Sequence, residues 1–322
     1  MTKRVRGYGL RVLVVLPVAL IVAVVCSPSS RPPFVHRLPH AVDRVGVLVI
    51  AHGGSTQWDQ MVHAVVQQAR LPVPSELALG MGMHPPEVHR LQEAVTRLEQ
   101  RGVTRIVVVP LLISSHSEVF RQQAYLFGLR RQAEWPEAGM PLNLHVPVVM
   151  GEALDDSPVV ADILLDRARA LSRAPEHETV ILVAHGPNTD ADNRLWLETM
   201  RRVGERIKRE GGFRDVAGFT IRDDAPAPVQ EQAKRQLRDA IRTAAQESRV
   251  LVVPLLMARG GVEDKIPKLL EGLPYLYKGD TLLPHPKVAQ WIAQQAAQLA
   301  REPRPFRISR SVPNGLRVNE PF

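Results

Sequence analysis

The chain has 322 residues, 45% of them hydrophobic and 23% charged, a composition that excludes a fibrous or solvent-swollen chain and allows a substantial core. The formal net charge of +8 and a pI near 10.0 come without any Lys/Arg cluster interleaved with aromatics. Nucleic acid is therefore not an expected partner, and most of the charge reads as a solvated face.

At the N-terminus Lys3, Arg4 and Arg6 precede an almost uncharged run from Val12 to Cys26, broken by Pro17. A basic segment followed by a short apolar run fits a signal peptide (residues 1–26) or, with Leu10 and Arg11 joined to it, a membrane anchor. Positive-inside logic then puts the rest of the chain on the exported, periplasmic side; if the segment is not a true signal, the location is cytoplasmic. The single cysteine, Cys26, closes this run, and Val25 stands where a small residue would precede a lipidated cysteine. The remainder has no thiol for a disulfide or a metal site. Residues 27–44, rich in Pro, Arg and His, read as a linker.

From Val45 onward strands and helices alternate. Expected strands cover 45–51, 76–81, 105–112 and 142–150, then 180–184, 216–221 and 249–256. Their nearly continuous β-branched character is that of strands covered on both faces, as in parallel sheets. Apolar residues at three- and four-residue spacing predict helices over 57–70, 86–101, 159–171, 191–209 and 229–245. The pattern repeats: Ala51-His52-Gly53 returns as Ala184-His185-Gly186, and Pro110-Leu111-Leu112 returns as Pro254-Leu255-Leu256. The expected fold is α/β, two similar doubly wound, flavodoxin-like lobes of parallel sheet around a central cleft. Their expected extents are 45–155 and 156–300, with a hinge around Asp155-Asp156-Ser157-Pro158 and an unstructured tail over 301–322.

Open parallel sheets place ligands beyond the C-terminal ends of their strands. His52 follows the first strand directly, and Ile113-Ser114-Ser115-His116-Ser117-Glu118 follows the third. If those strands are neighbours, both loops leave one edge and His52 and His116 converge. A lone histidine there would read as structural; two at corresponding strand ends suit a borderline divalent ion. Glu118 adds a carboxylate ligand or a base. Gly53, Gly54 and Ser55 let a large flat ligand approach the backbone, and Ser115 and His185 join the expected substrate-binding set. In the second half the counterpart of His116 is missing, so the first half is expected to hold the metal. There Arg259 and Gly260 read as an anchor for an anionic substrate, or Arg259 as a surface charge. Beside Asp190 and Asp192, Thr189 or Asp190 reads as the cap of the next helix, and Arg222-Asp223-Asp224 at a strand end reads the same way; Trp196 and Trp291 read as core.

Ala51-His52-Gly53, the Pro110-Leu111-Leu112 strand followed by His116, and the repetition of the unit resemble the CbiX-type sirohydrochlorin chelatases. These are class II chelatases, which also resemble ferrochelatase in fold. The resemblance spans about residues 45–273 and implies ATP-independent insertion of Co²⁺ or Fe²⁺ into a precorrin-2-derived tetrapyrrole. The divalent metal is then a substrate, and no tightly bound cofactor is implied. The family's two metal-site histidines fall on His52 and His116. Arginines at the cleft mouth (Arg121, Arg130, Arg131, Arg259) are expected to meet the macrocycle's carboxylates. An export signal on such a chain favours a second class, a non-catalytic metal- or tetrapyrrole-binding protein. A histidine phosphatase is a poor fit, because Ala51 and Ala184 stand where Arg-His-Gly would need arginine.

Overall fold

The computed structural model describes residues 43–302. The apolar N-terminal run, most of the linker, and the tail beyond residue 302 lie outside the described residues. Among those described, no helix is long and apolar enough to cross a membrane.

Two four-stranded parallel sheets carry the fold. The first contains β1 (Val45–Ala51), β2 (Ser75–Leu79), β3 (Arg105–Leu111) and β4 (Val148–Met150), in the order β2-β1-β3-β4. The second contains β5 (Glu178–Ala184), β6 (Asp215–Thr220), β7 (Arg249–Leu255) and β8 (Leu276–Tyr277), in the corresponding order β6-β5-β7-β8. Registers match as well, since Ala51 lies beside Leu111 and Ala184 beside Leu255. The first and third strands of each lobe are thus neighbours, and their following loops emerge at one edge.

The helices are α1 (Thr56–Gln68), α2 (Pro85–Gln100), α3 (Glu118–Leu126), α4 (Pro158–Arg169), α5 (Asp190–Gly211), α6 (Ala227–Ala244), α7 (Val262–Leu269) and α8 (Pro286–Arg301). Within each strand, alternate residues enter different cores. Leu48, Ile50, Ile106 and Val108 pack with Leu91, Val95 and Leu98 of α2. Ile181, Val183, Val250 and Val252 pack with Leu237 and Ile241 of α6 and with Ile266 of α7. The opposite faces of both sheets, through Val47, Val107, Leu182 and Leu251, belong to one shared central core.

That shared core has exchanged helices. The chain leaves the first sheet into α4, yet α4 packs on α5 and β7 of the second lobe. It leaves the second sheet and ends in α8, which packs back on α1, β1 and β3 of the first. Arg105 closes the exchange: its side chain is 2% exposed, and its guanidinium donates to the Ala300 and Glu302 carbonyls, two of the acceptors that the end of α8 leaves without partners.

Three departures from the sequence reading have simple causes. The strand expected over 142–150 pairs only from Val148; Pro147, with no N–H to donate, precedes it, while Leu142, Leu144 and Val146 pack into the outer core without a ladder. Helices α3 and α7, of 9 and 8 residues, are shorter than the window of about 11 residues over which helical apolar spacing is read from sequence. Helix α8 begins at Pro286, where proline suits a first turn, and buries Val288, Trp291, Ile292 and Leu299.

Candidate functional site

Between the two loop edges lies a cavity of 620 Å³, within the range of small-molecule sites. Its wall is largely apolar: Trp58, Met81, Met83, Trp135, Trp196 and Met257 contribute to it. Among the described residues its ionisable groups are His52 and Glu118 from the first lobe and His185 and Asp224 from the second, with no Lys or Arg on the wall.

The two histidines are held by one device. His52 Nδ1 lies 2.7 Å from the Gly53 carbonyl, and His185 Nδ1 lies 2.9 Å from the Gly186 carbonyl. A carbonyl can only accept, so Nδ1 carries the proton and Nε2 keeps its lone pair for a metal or a proton. Bringing the carbonyl back onto the preceding ring requires a left-handed backbone, with φ of +80° at Gly53 and +81° at Gly186. Gly186 is confined further, because a Cβ there would lie 2.5 Å from Thr220 Cβ. Both turns therefore call for glycine.

Glu118, the first residue of α3, accepts a hydrogen bond of 3.1 Å from Asn188 Nδ2 across the cavity. Burial raises its carboxyl above the ordinary range. Arg121 and the Asn188 bond offset this in part, and the charges of Asp192 and Glu134 add to it. One turn along, Arg121 donates to Glu134 Oε1 at 2.8 Å and to Asp192 at 2.8 and 3.1 Å. Burial alone would raise the Asp192 carboxyl too. Hydrogen bonds from Arg121 and Thr189, with the charges of Arg121 and His116, outweigh it and hold Asp192 below its usual range.

Residues 46–171 match the CbiX family. The first lobe is thus similar to CbiX proteins. Over 126 residues it is 21% identical to a protein of Methanococcoides burtonii named sirohydrochlorin cobaltochelatase, covering 39% of this chain and 95% of that one. Its fold is similar to that of SirB from Bacillus subtilis, solved with Fe³⁺, at a TM-score of 0.56 and 18% identity over 80% of this chain and 96% of that one. The CbiX match ends near the start of the second lobe, whereas the structural likeness continues through it. The two-lobed arrangement is thus a chelatase-like fold.

The structure brings some of the site residues expected from the sequence to the cavity and places others away from it. His52, Gly53, Gly54, Glu118, His185 and Gly260 line the cavity. His116 is not among the lining residues: its N–H donates to Ser114 Oγ at 3.0 Å and its carbonyl accepts the Trp196 indole N–H at 2.7 Å. Ser115 is turned to the hinge, where its N–H and Oγ bind the Asp155 carboxylate at 2.9 and 2.7 Å. Those bonds tie the loop back, and His52, His116 and Glu118 are not gathered into one set of ligand atoms. Ser55 serves as the N-cap of α1, accepting from Trp58 N–H.

Three of the four arginines expected at the mouth have partners elsewhere. Arg121 is bound as described, Arg130 lies 3.2 Å from Glu134, Arg259 donates to the Lys278 carbonyl at 3.4 Å, and Arg131 is exposed away from the wall. Trp196, expected in the core, is 9% exposed and puts part of its surface on the cavity. Asp223 and Asp224 do not cap a helix, since α6 starts after Pro226 with no side-chain cap. They gather instead on His185: among the described residues these three form the group whose ligand atoms all lie within 4.8 Å of one another. Sequence reasoning missed that cluster, and its signal was the Asp-Asp pair at a strand end beside the repeated His-Gly.

Proposed function

We propose that the protein inserts a divalent metal ion, Co²⁺ or Fe²⁺, into a tetrapyrrole of the sirohydrochlorin type without ATP. The observation that carries this reading is the cavity itself. Two imidazoles whose Nδ1–H is taken by a backbone carbonyl, and one carboxyl of raised proton affinity, face a mostly apolar space of 620 Å³. A flat macrocycle suits walls of Trp and Met. Because no Lys or Arg among the described residues lines the cavity, burying the macrocycle's carboxylates there would cost desolvation without a partner. The ring therefore enters with its acidic substituents towards the open side.

Insertion exchanges M²⁺ for two pyrrole protons. In this proposal His52 Nε2 ligates the incoming ion in place of water, while Gly53 and Gly54 let the ring approach the turn. Glu118 takes one pyrrole proton as the ion enters and the other passes to water at the open side; the raised proton affinity of Glu118 brings it closer to the working pH of a general base. His116 is proposed as a second ligand, which requires its ring to move from beside Asp192 towards His52. Ser55, Ser115, Arg259 and Gly260 remain with the substrate-binding proposal, Gly260 from the wall and the others from behind or beside it. The N-terminal segment is proposed to place this chemistry on the periplasmic side, which fractionation of cells making the full chain would check.

The test is absorption of sirohydrochlorin mixed with Co²⁺, Fe²⁺ or Ni²⁺, with and without purified protein. The expected result is turnover above the metal-only rate, abolished in folded His52→Ala and His116→Ala variants. Full activity in both variants would refute the mechanism. The export-type N-terminus favours one second reading, a non-catalytic carrier, for which one equivalent of ligand would bind without turnover.

A further inference from the structure

We propose that the second lobe holds a divalent-cation site of its own, made by His185, Asp223 and Asp224. It needs only the ion, so it stands apart from the tetrapyrrole reading. Strands β5 and β6 are hydrogen-bonded neighbours with Ala184 beside Thr220, and the loops that follow them carry the three ligands. His185 Nε2 lies 3.4 Å from Asp224 Oδ2, and its Nδ1–H is taken by the Gly186 carbonyl. A backbone acceptor on the far ring nitrogen orients a histidine for metal binding.

Arg222 sets the distance between the two loops. It has φ of +53°, an uncommon left-handed backbone for a long side chain. Its N–H donates to the His185 carbonyl at 2.7 Å. Its guanidinium is buried and donates to the Pro187 and Asn188 carbonyls at 3.1 and 2.6 Å, and to Asp190. Strained backbone held by so many bonds marks a place where geometry is imposed from outside the residue. What it fixes here is the approach of Asp223 and Asp224 to His185. Gln230 adds to this, donating to the Asp223 carbonyl at 2.8 Å.

One imidazole nitrogen with two carboxylates suits Mn²⁺, Fe²⁺, Co²⁺, Ni²⁺ or Zn²⁺ better than an all-oxygen ion such as Ca²⁺. His185 and Asp224 both line the cavity, so open coordination positions would face the same space as His52. Lys265 Nζ pairs with Asp223 and must swing away when the ion binds. The site can thus load an ion on the wall opposite the first-lobe histidine before any macrocycle arrives.

The test is titration of Co²⁺ into the full protein carrying His52→Ala, which removes the first-lobe ligand, followed by calorimetry and the visible Co²⁺ spectrum. One equivalent should bind with bands of a mixed nitrogen–oxygen environment. Adding His185→Ala or Asp224→Asn should weaken binding at least tenfold with the far-ultraviolet circular dichroism unchanged, and Lys265→Gln should tighten it severalfold. The proposal is overturned if His52→Ala takes up no Co²⁺ at millimolar concentration, or if the added substitutions leave its uptake unchanged. Chelation is read separately, from sirohydrochlorin absorption, so failure of either idea leaves the other measurable.

Discussion

Replacing Arg121 by methionine keeps most of the side-chain volume and removes the charge that joins α3 of the first lobe to α5 of the second. The guanidinium is 23% exposed, and its partners Glu134 and Asp192 are 19% and 11% exposed. Screening is therefore partial. Removing one partner from a wholly buried pair costs ~3–5 kcal/mol, whereas a surface pair is worth ~0–1 kcal/mol. The two-pronged contact with Asp192, at 2.8 and 3.1 Å, places this one between, at about 2 kcal/mol. For a fold of this size that is a fall in melting temperature of roughly 4–8 °C. Urea unfolding should show a lower midpoint with an unchanged slope, and a double-mutant cycle with Asp192→Asn should return a coupling of about 1 kcal/mol or more. Arg121 also lowers the proton affinity of Glu118, so in Arg121→Met the acid limb of the insertion rate should move to higher pH. A melting temperature unchanged from wild type, together with a coupling near zero, would refute the argument that this ion pair clamps the lobes.

Gly53→Ala and Gly186→Ala form a matched pair: both positions have φ near +80°, but a Cβ at Gly53 meets nothing closer than 3.5 Å while one at Gly186 meets Thr220 at 2.5 Å. Thermal melts should show about 1 kcal/mol lost at Gly53 and distinctly more at Gly186. Glu178 is 1% exposed; burial would raise its carboxyl, but bonds from Ser172, Arg173 and Ala174 and the charge of Arg249 hold it below its ordinary value. A carboxyl depressed in the folded state gives stability that is complete above the unfolded value of ~4.3 and is lost as pH falls through the folded one. Urea midpoints between pH 3 and 6 should fall on the acid side, less steeply in Glu178→Gln. Glu118→Gln should slow metal insertion by ~10²-fold or more, as for loss of a general base, while leaving the melting temperature within a few degrees; an unchanged rate would remove Glu118 from the proton path.

Strands of a parallel sheet are covered on both faces, so β1, β3, β5 and β7 stand out as apolar runs whatever surrounds them. The repeated Ala-His-Gly then sets the two lobes in register, and the pairing of Ala51 with Leu111 and of Ala184 with Leu255 follows. An amphipathic helix, in contrast, announces that one face is buried without naming the partner. Nothing in the spacing of α4 or α8 distinguishes packing on its own sheet from packing on the other, and the exchange between lobes stayed hidden for that reason. The candidate site divides in the same way. His52 and His185 each follow directly on a central strand, so their positions are fixed by the sheet. His116 stands farther along a loop whose course is set by a bond within it to Ser114 and by bonds to Asp155 and Trp196, the last two remote in sequence.

The asymmetry between the halves now has a physical content. Both retain the turn that frees a histidine Nε2, but they differ in what faces it. In the first lobe the neighbouring groups are Trp58, whose ring centre lies 6.3 Å from that of His52, and the carboxyl of Glu118, whose proton affinity burial raises. In the second they are two carboxylates of the loop after β6, close enough to share an ion with the imidazole. A duplicated scaffold that kept one purpose in both halves would be expected to keep the same companions for its histidine. Losing the counterpart of His116 while gathering Asp223 and Asp224 makes the second turn a better place to hold a cation than the first. The apolar first-lobe wall is the better place for a flat ring to lie. In the proposed reaction the ion would then pass from the second-lobe ligands to His52, which faces the same cavity, as the macrocycle settles against the first-lobe wall.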